Sequence, residues 1–397
     1  MNIFDKQRVL NFLRRPLEIV VLRYIFGSLV LVPTVMLLLW LVTPTKTINV
    51  LLINKSVPDE MRTEHAAFSW MLKQERITDS EGEFYSKESD YYGFHPRLGG
   101  DFLARDFEAF DSLMIDSLAE QTDLLYFADA YGVYSHDYGG DLDARNRLLY
   151  GGVNRSDFDL LRAVQKKSGT IIAEFSIFGP PTVPAIRDSL QNLFGLNWSG
   201  WVGRYFISLD TTANDALPPW VVELYQQQHG PVWPFFDSGI VLVKGGDILV
   251  LEYGTHLTEE TPLIETQEVY RGEYGLPAVV RYPFWFDIVT SPQAENRVVS
   301  IFHIPVNILG DSLLVDKRIP SMFPAVLYHA DPMRPFYYFS GDFSDNPVSD
   351  FSAHFKGIEI FQSFLYNKEQ MADRRQFFWR FYRPLMQHIL DTLDTHQ

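Results

Sequence analysis

Two carboxylates and a hydroxyl stand where an α/β sheet would present its chemistry. Asp129 ends the apolar run Leu124-Leu125-Tyr126-Phe127-Ala128, Glu174 ends Thr170-Ile171-Ile172-Ala173, and Ser176 follows two residues later. Open α/β sheets bind ligands beyond the carboxyl ends of their strands. Two carboxylates across such a crevice can share acid–base work on a glycosidic bond when they sit roughly 5 to 10 Å apart. The same residue types also cap loops and accept backbone hydrogen bonds in α/β domains without activity, so both roles stay open on sequence grounds.

A second group of residues is suited to binding. Trp198, Trp201, Arg204 and Tyr205 fall within one glycine-bearing stretch, and Tyr92, His95 and Tyr131 lie in or beside aromatic segments upstream. Aromatic faces stack on sugar rings, and a guanidinium fixes hydroxyls or acids. Glycines between the tryptophans favour exposed loop rings, with a packed core as the competing reading. The histidines show no H-x-H or H-E-x-x-H spacing, so no metal site is expected. Gly341-Asp342-Phe343-Ser344-Asp345-Asn346-Pro347 lacks the ligand alternation of a calcium loop and reads as a turn.

Composition narrows the classes further. The chain has 397 residues, 46% hydrophobic and 15% aromatic, which is globular, and its formal charge of -16 argues against a nucleic-acid partner. It contains no cysteine, which removes disulfides, thiolate nucleophiles and Cys-ligated metals. No cofactor fingerprint follows a strand, and none is expected.

The elements that must position these groups are best marked over residues 153–181. Ser156 is the expected N-cap of a helix, with Asp157 and Asp159 in its first turn and Lys166 and Lys167 in its last. Gly169 is the expected left-handed residue after it, leading into a buried strand at 170–175. Upstream, residues 47–54 read as a first strand, 63–74 as a helix, 79–105 as a long loop, and 123–130 as a second buried strand. Alternating strands and helices of this kind argue for a parallel sheet covered on both faces. Downstream, a helix at 183–193 and a hairpin across Gly245-Gly246 are expected. The chain is divided into an α/β domain at 47–243, a β-rich subregion at 244–350 and a helical tail at 351–397.

Residues 24–42 are uncharged and rich in Leu and Val, about the length that crosses a ~30 Å hydrocarbon layer as a helix. They read as a transmembrane anchor, with Tyr24 and Trp40 near the two interfaces. Lys6, Arg8, Arg14, Arg15 and Arg23 precede it, which places residues 1–23 in the cytosol and the remainder outside an inner (cell) membrane.

The strand of Ile48–Ile53, the Asp123-Leu124-Leu125 strand, the acidic helix start after Gly152 and Gly169-Thr170-Ile171-Ile172-Ala173-Glu174 together resemble class I glutamine-amidotransferase-like domains, ThuA-like proteins among them. The resemblance spans roughly residues 47–243 and implies a flavodoxin-like parallel sheet with helices on both faces. In that family the strand matching residues 170–175 ends in a nucleophilic cysteine on a tight elbow. This chain has no cysteine, and Phe175 and Ile177 flank Ser176 where an elbow takes small residues, so the strained turn is not expected. The resemblance therefore implies a pseudoenzyme. It would be an extracytoplasmic, membrane-anchored accessory or glycan-binding protein of a cell-envelope or exopolysaccharide system, with polysaccharide or envelope proteins as partners. The alternative is a membrane-anchored glycoside hydrolase using Glu174 and Asp129.

Overall fold

Five strands run parallel at the centre of the protein: β1 (Val50–Asn54), β2 (Tyr92–Pro96), β3 (Leu124–Asp129), β4 (Thr170–Glu174) and β5 (Phe336–Phe339). Their spatial order is β5-β4-β3-β1-β2. The computed structural model describes residue 24 and residues 27–97, 100–138, 147–213 and 216–394. The expected cytosolic segment 1–23 lies outside the described residues. The fold is mixed α/β, with both parallel and antiparallel pairing.

Strand residues alternate between two layers, as the pleat requires. Leu51, Ile53, Leu125, Phe127, Ile171 and Ala173 pack with Ile115, Leu160, Leu161, Leu190 and Phe194. Those partners come from α2 (Ser112–Glu120), α3 (Arg155–Lys166) and α4 (Pro184–Phe194). Leu52, Tyr126 and Ile172 face the other way, onto α1 (Ala66–Gln74) and α5 (Arg383–Asp394), through Phe68, Trp70, Leu385 and Ile389. Each such aliphatic or aromatic side chain contributes about 1.5–3 kcal/mol by leaving water.

Local signals explain the helix boundaries, with two corrections. The N-cap of α3 is Asn154, not Ser156, because the Asn154 side chain accepts from Asp157 N–H at 2.9 Å while the Asp157 carboxylate accepts from Asn154 N–H at 2.7 Å. This reciprocal pair satisfies two otherwise orphaned donors. After α3 the left-handed residue is Ser168, with φ of 61°, and not Gly169. Gly169 is required for space instead, since a Cβ there would lie 2.8 Å from the Thr122 carbonyl oxygen.

Among the described residues the main sheet has ten strands, and those on both sides of residue 243 take part. Antiparallel strands Leu263–Thr266, Val279–Arg281, Asn296–His303 and Met322–His329 extend it beyond β5, and Phe102–Arg105 closes the edge at β2. A second, four-stranded antiparallel sheet contains Asn197–Phe206, Gly239–Lys244, Asp247–Glu252 and Trp285–Thr290. The helix Pro219–His229 covers one face of it.

Two expected loops are strands. Residues 91–95 contribute most of β2, where Gly93, at φ of 143°, passes so close to β1 that a Cβ would sit 1.7 Å from the Asn54 carbonyl oxygen. Residues 198–205 lie within Asn197–Phe206, and Gly203 leaves room for the Phe286 ring.

Residues 27–42 are helical. Among the described residues no helix is long and apolar enough to cross a membrane. The helix is apolar and exposed along its length, Leu29, Leu31, Leu38 and Val42 included, except at its foot. There Trp40 is buried, donating from Nε1 to the Lys73 carbonyl at 3.0 Å, with the Arg76 guanidinium 4.6 Å over its ring.

Candidate functional site

Parallel strands end together, so the carboxyl edge gathers Asn54 to Ser56, Asp129, Glu174 to Ser176 and the turn after β5. The three proposed catalytic residues meet there in different settings. Glu174 is fully buried: it accepts from the Tyr126 hydroxyl, from Ser344 N–H at 3.1 Å and from Ser344 Oγ at 2.8 Å. Tyr126 also pairs with the Tyr382 hydroxyl at 2.8 Å, so Glu174 ties β3, β4, the turn after β5 and the C-terminal helical segment together. Burial outweighs these donors and pushes its carboxyl up to about 8.

Asp129 accepts from Ser176 Oγ and from Tyr131 N–H at 2.7 Å, and burial pushes it up to about 6. Ser176 has φ of 76°, the strained turn that its neighbours Phe175 and Ile177 argued against. The turn is held from within: Ser176 Oγ donates to Asp129 and accepts from Ala130 N–H at 3.0 Å, and the Ser176 carbonyl accepts from Gly179 N–H at 3.0 Å. The left-handed backbone at Ser176 is present without small flanking residues, and the next helix, α4, begins only at Pro184. The Ser176 hydroxyl is fixed between the Asp129 carboxylate, to which it donates, and Ala130 N–H, from which it accepts.

Beside this triad lies a second constellation, of which Arg204 alone was an expected ligand residue. The Arg204 guanidinium sits 4.8 Å from the Phe206 ring, 5.0 Å from Trp285 and 5.7 Å from Phe284. Arg374 lies 3.8 Å over the same Phe284 ring and 2.9 Å from Asp345 Oδ1. Arg204 Nε is buried without a partner, and burial together with the Arg374 charge holds its guanidinium below the ordinary value. Glu64, pushed up to about 8 by burial and by Asp345, has an unpartnered Oε2, and Asp342 has an unpartnered Oδ1. A carboxyl raised that far is protonated at neutral pH and both donates and accepts hydrogen bonds. Guanidiniums on aromatic faces beside such carboxyls match the alternating donors and acceptors of a polyhydroxylated ligand. No local signal marked the missed half: the Asp342–Asp345 turn follows an aromatic strand, and only the pairing of that strand with β4 brings the turn to this edge.

The remaining expected ligand residues are dispersed. Trp201 and Tyr205 are each 3% exposed, because strand alternation turns them inward, so neither offers a free ring. Trp198 is half-buried beneath Arg187, whose guanidinium lies 4.9 Å from the ring. Tyr92 stacks on Phe107 at 4.3 Å with Arg105 over its ring. His95 stacks on Tyr91 at 3.9 Å and is held below its ordinary value by burial. Tyr131 is exposed beside Tyr134.

Two cavities, of about 550 and 530 Å³, lie away from this edge: the first is bounded by Thr122, Asp123, Gly169 and Thr170 at the amino ends of β3 and β4, and the second by Asn49 to Leu52 and Tyr85. Among the described residues no group of three or more His, Asp or Glu side chains is placed to hold a metal ion.

No protein-family model matches the chain, and no curated protein does. Solved structures similar to it include a protein described as ThuA-like from Bacteroides uniformis, at 9% identity and a TM-score of 0.34, covering 83% of this chain and 95% of that one. A cold-adapted β-galactosidase from Rahnella sp. R3 aligns at 11% identity and a TM-score of 0.28, over 78% of this chain and 30% of that one. Agd3, a carbohydrate deacetylase, aligns at 9% identity and a TM-score of 0.32, over 79% of this chain and 32% of that one. This chain thus spans about a third of the latter two, and likeness at these TM-scores carries no argument about fold or activity.

Proposed function

We propose that this protein is a membrane-anchored, extracytoplasmic glycan-binding or accessory protein of a cell-envelope or exopolysaccharide system, built on an amidotransferase-like scaffold and without catalytic activity. The observation that carries the binding reading is the Arg204–Arg374 pair on Phe284, Trp285 and Phe206, with unpartnered polar atoms on Arg204, Glu64 and Asp342. Buried polar atoms without partners cost free energy that a ligand recovers. The scaffold reading is supported by the order β5-β4-β3-β1-β2, which is the flavodoxin-like order, and by the strained φ at Ser176. The absence of cysteine supports a scaffold without the thiolate chemistry of amidotransferases.

The anchor reading rests on the uncharged run 24–42 and on the exposure of its apolar side chains above a buried Trp40. A helix whose apolar side chains stay exposed over most of its length is stable in lipid and unfavourable in water. Full-length protein is expected to stay with membranes after alkaline carbonate extraction, and a chain lacking residues 1–43 to be released. Protease added to intact spheroplasts is expected to digest the bulk of the protein. Release of the full chain by carbonate, or protection of its bulk, overturns the anchor or its direction.

A further inference from the structure

Around the foot of the apolar helix the protein exposes a second apolar surface. Residues 350–364 form two short 3-10 helices, Asp350–His354 and Ile358–Phe364. They are docked onto the 27–42 helix itself: Lys356 N–H donates to the Met36 carbonyl at 3.2 Å, and the His354 ring lies 4.8 Å from Trp40. Ile358, Leu365 and Tyr366 turn toward the main core. Phe351, Ile360 and Phe364 turn out, at 71%, 79% and 85% exposure, with Phe361 beside them.

Taking the anchor reading above as its basis, we infer that this segment is a membrane-contacting collar whose Phe351, Ile360, Phe361 and Phe364 side chains insert into the outer leaflet around the anchor. The depth fits. Met36 is four residues from Trp40 toward the bilayer, about 6 Å along a helix. Interfacial helices bury their apolar faces about 5–10 Å into the headgroup and acyl boundary. The charges also fit. Asp350 pairs with Lys73, Glu359 with Arg383 at 3.2 Å and Lys356 with Glu75 at 3.2 Å, so the segment's ionic groups are tied back to the body and away from its apolar side. A net charge of -16 disfavours adhesion to anionic headgroups, so the contact is apolar. The collar fixes the height and tilt of the body, and hence the direction in which the carboxyl edge faces.

The chain has no cysteine, so single introduced cysteines can be labelled without background. Full-length Ile360→Cys, Phe364→Cys, Ile308→Cys and Leu31→Cys are labelled with an environment-sensitive fluorophore and reconstituted into phosphatidylcholine vesicles carrying nitroxide lipid. All four positions are exposed, so the core is untouched; Ile308, 92% exposed, is the reference and Leu31 reports the anchor. Quenching at 360 and 364 is expected to be severalfold stronger than at 308. Quenching at 31 but no more at 360 and 364 than at 308 removes the collar and leaves the anchor. No quenching at 31 removes both.

Discussion

Glu174→Ala is expected to lower the unfolding free energy by about 3 kcal/mol, while Glu174→Gln costs about 1 kcal/mol. The carboxyl is fully buried and receives the Tyr126 hydroxyl and both donors of Ser344. Alanine leaves the Ser344 N–H without its acceptor and opens a cavity beneath Tyr382. Glutamine keeps the volume and one acceptor oxygen. Tyr126 retains the Tyr382 hydroxyl and Ser344 Oγ retains the Glu64 carbonyl, which limits the loss. Denaturant melts of the full chain in detergent check this. An alanine variant as stable as the parent would contradict the clasp and return Glu174 to the list of candidate catalytic groups.

The second large effect is on pH dependence. Glu64, Glu174 and Asp287 are each pushed up to about 8, chiefly by burial. A carboxyl whose folded value exceeds its unfolded value contributes stability that is present at low pH and lost as pH rises through the folded value. His65, lowered by burial to about 4, works in the opposite direction between that value and its ordinary one near 6.5. Above that pH its contribution is constant. The melting temperature is therefore expected to fall between pH 6.5 and 9, by on the order of 5 °C. Asp287→Asn should flatten the slope, since Asp287 meets only the Tyr338 hydroxyl, at 2.7 Å, and the Ser340 turn. A melting temperature that is level or rises over this range would contradict the protonated carboxyls on which the donor chemistry of Glu64 depends.

Local pattern was enough where an element carries its own signals. Leu124–Asp129 and Thr170–Glu174 are continuous apolar runs closed by a carboxylate, and both are buried parallel strands. The α3 helix was legible from its acidic start and basic end, although the cap lay at Asn154. What escaped was set by partners far away in sequence. Residues 337–339 read as one more strand, and only the pairing of Phe336–Phe339 with Thr170–Glu174 makes it the fifth parallel strand. With that pairing hidden, the Asp342–Asp345 turn could not be placed at the same edge as Asp129. Arg374 lies farther still along the chain, and nothing local links it to Phe284. Aromatic and glycine residues at 198–205 suggest a loop, but the glycines answer to neighbours: Gly203 makes room for Phe286. Ser176 shows the converse, because tertiary hydrogen bonds hold a left-handed turn that its flanking residues did not announce.

The most direct test of the account is a titration of the full-length protein in nanodiscs with fragments of envelope polysaccharides, followed for both binding and release of new reducing ends. Arg204 is the informative position: its buried Nε has no partner among the described residues and its guanidinium rests on aromatic rings, so Arg204→Met removes no side-chain hydrogen bond. Saturable binding without cleavage is expected, weakened about tenfold by Arg204→Met, equivalent to about 1.4 kcal/mol, with an unchanged melting temperature. Binding that Arg204→Met leaves unaltered, or cleavage that Glu174→Gln abolishes in a folded protein, would contradict it.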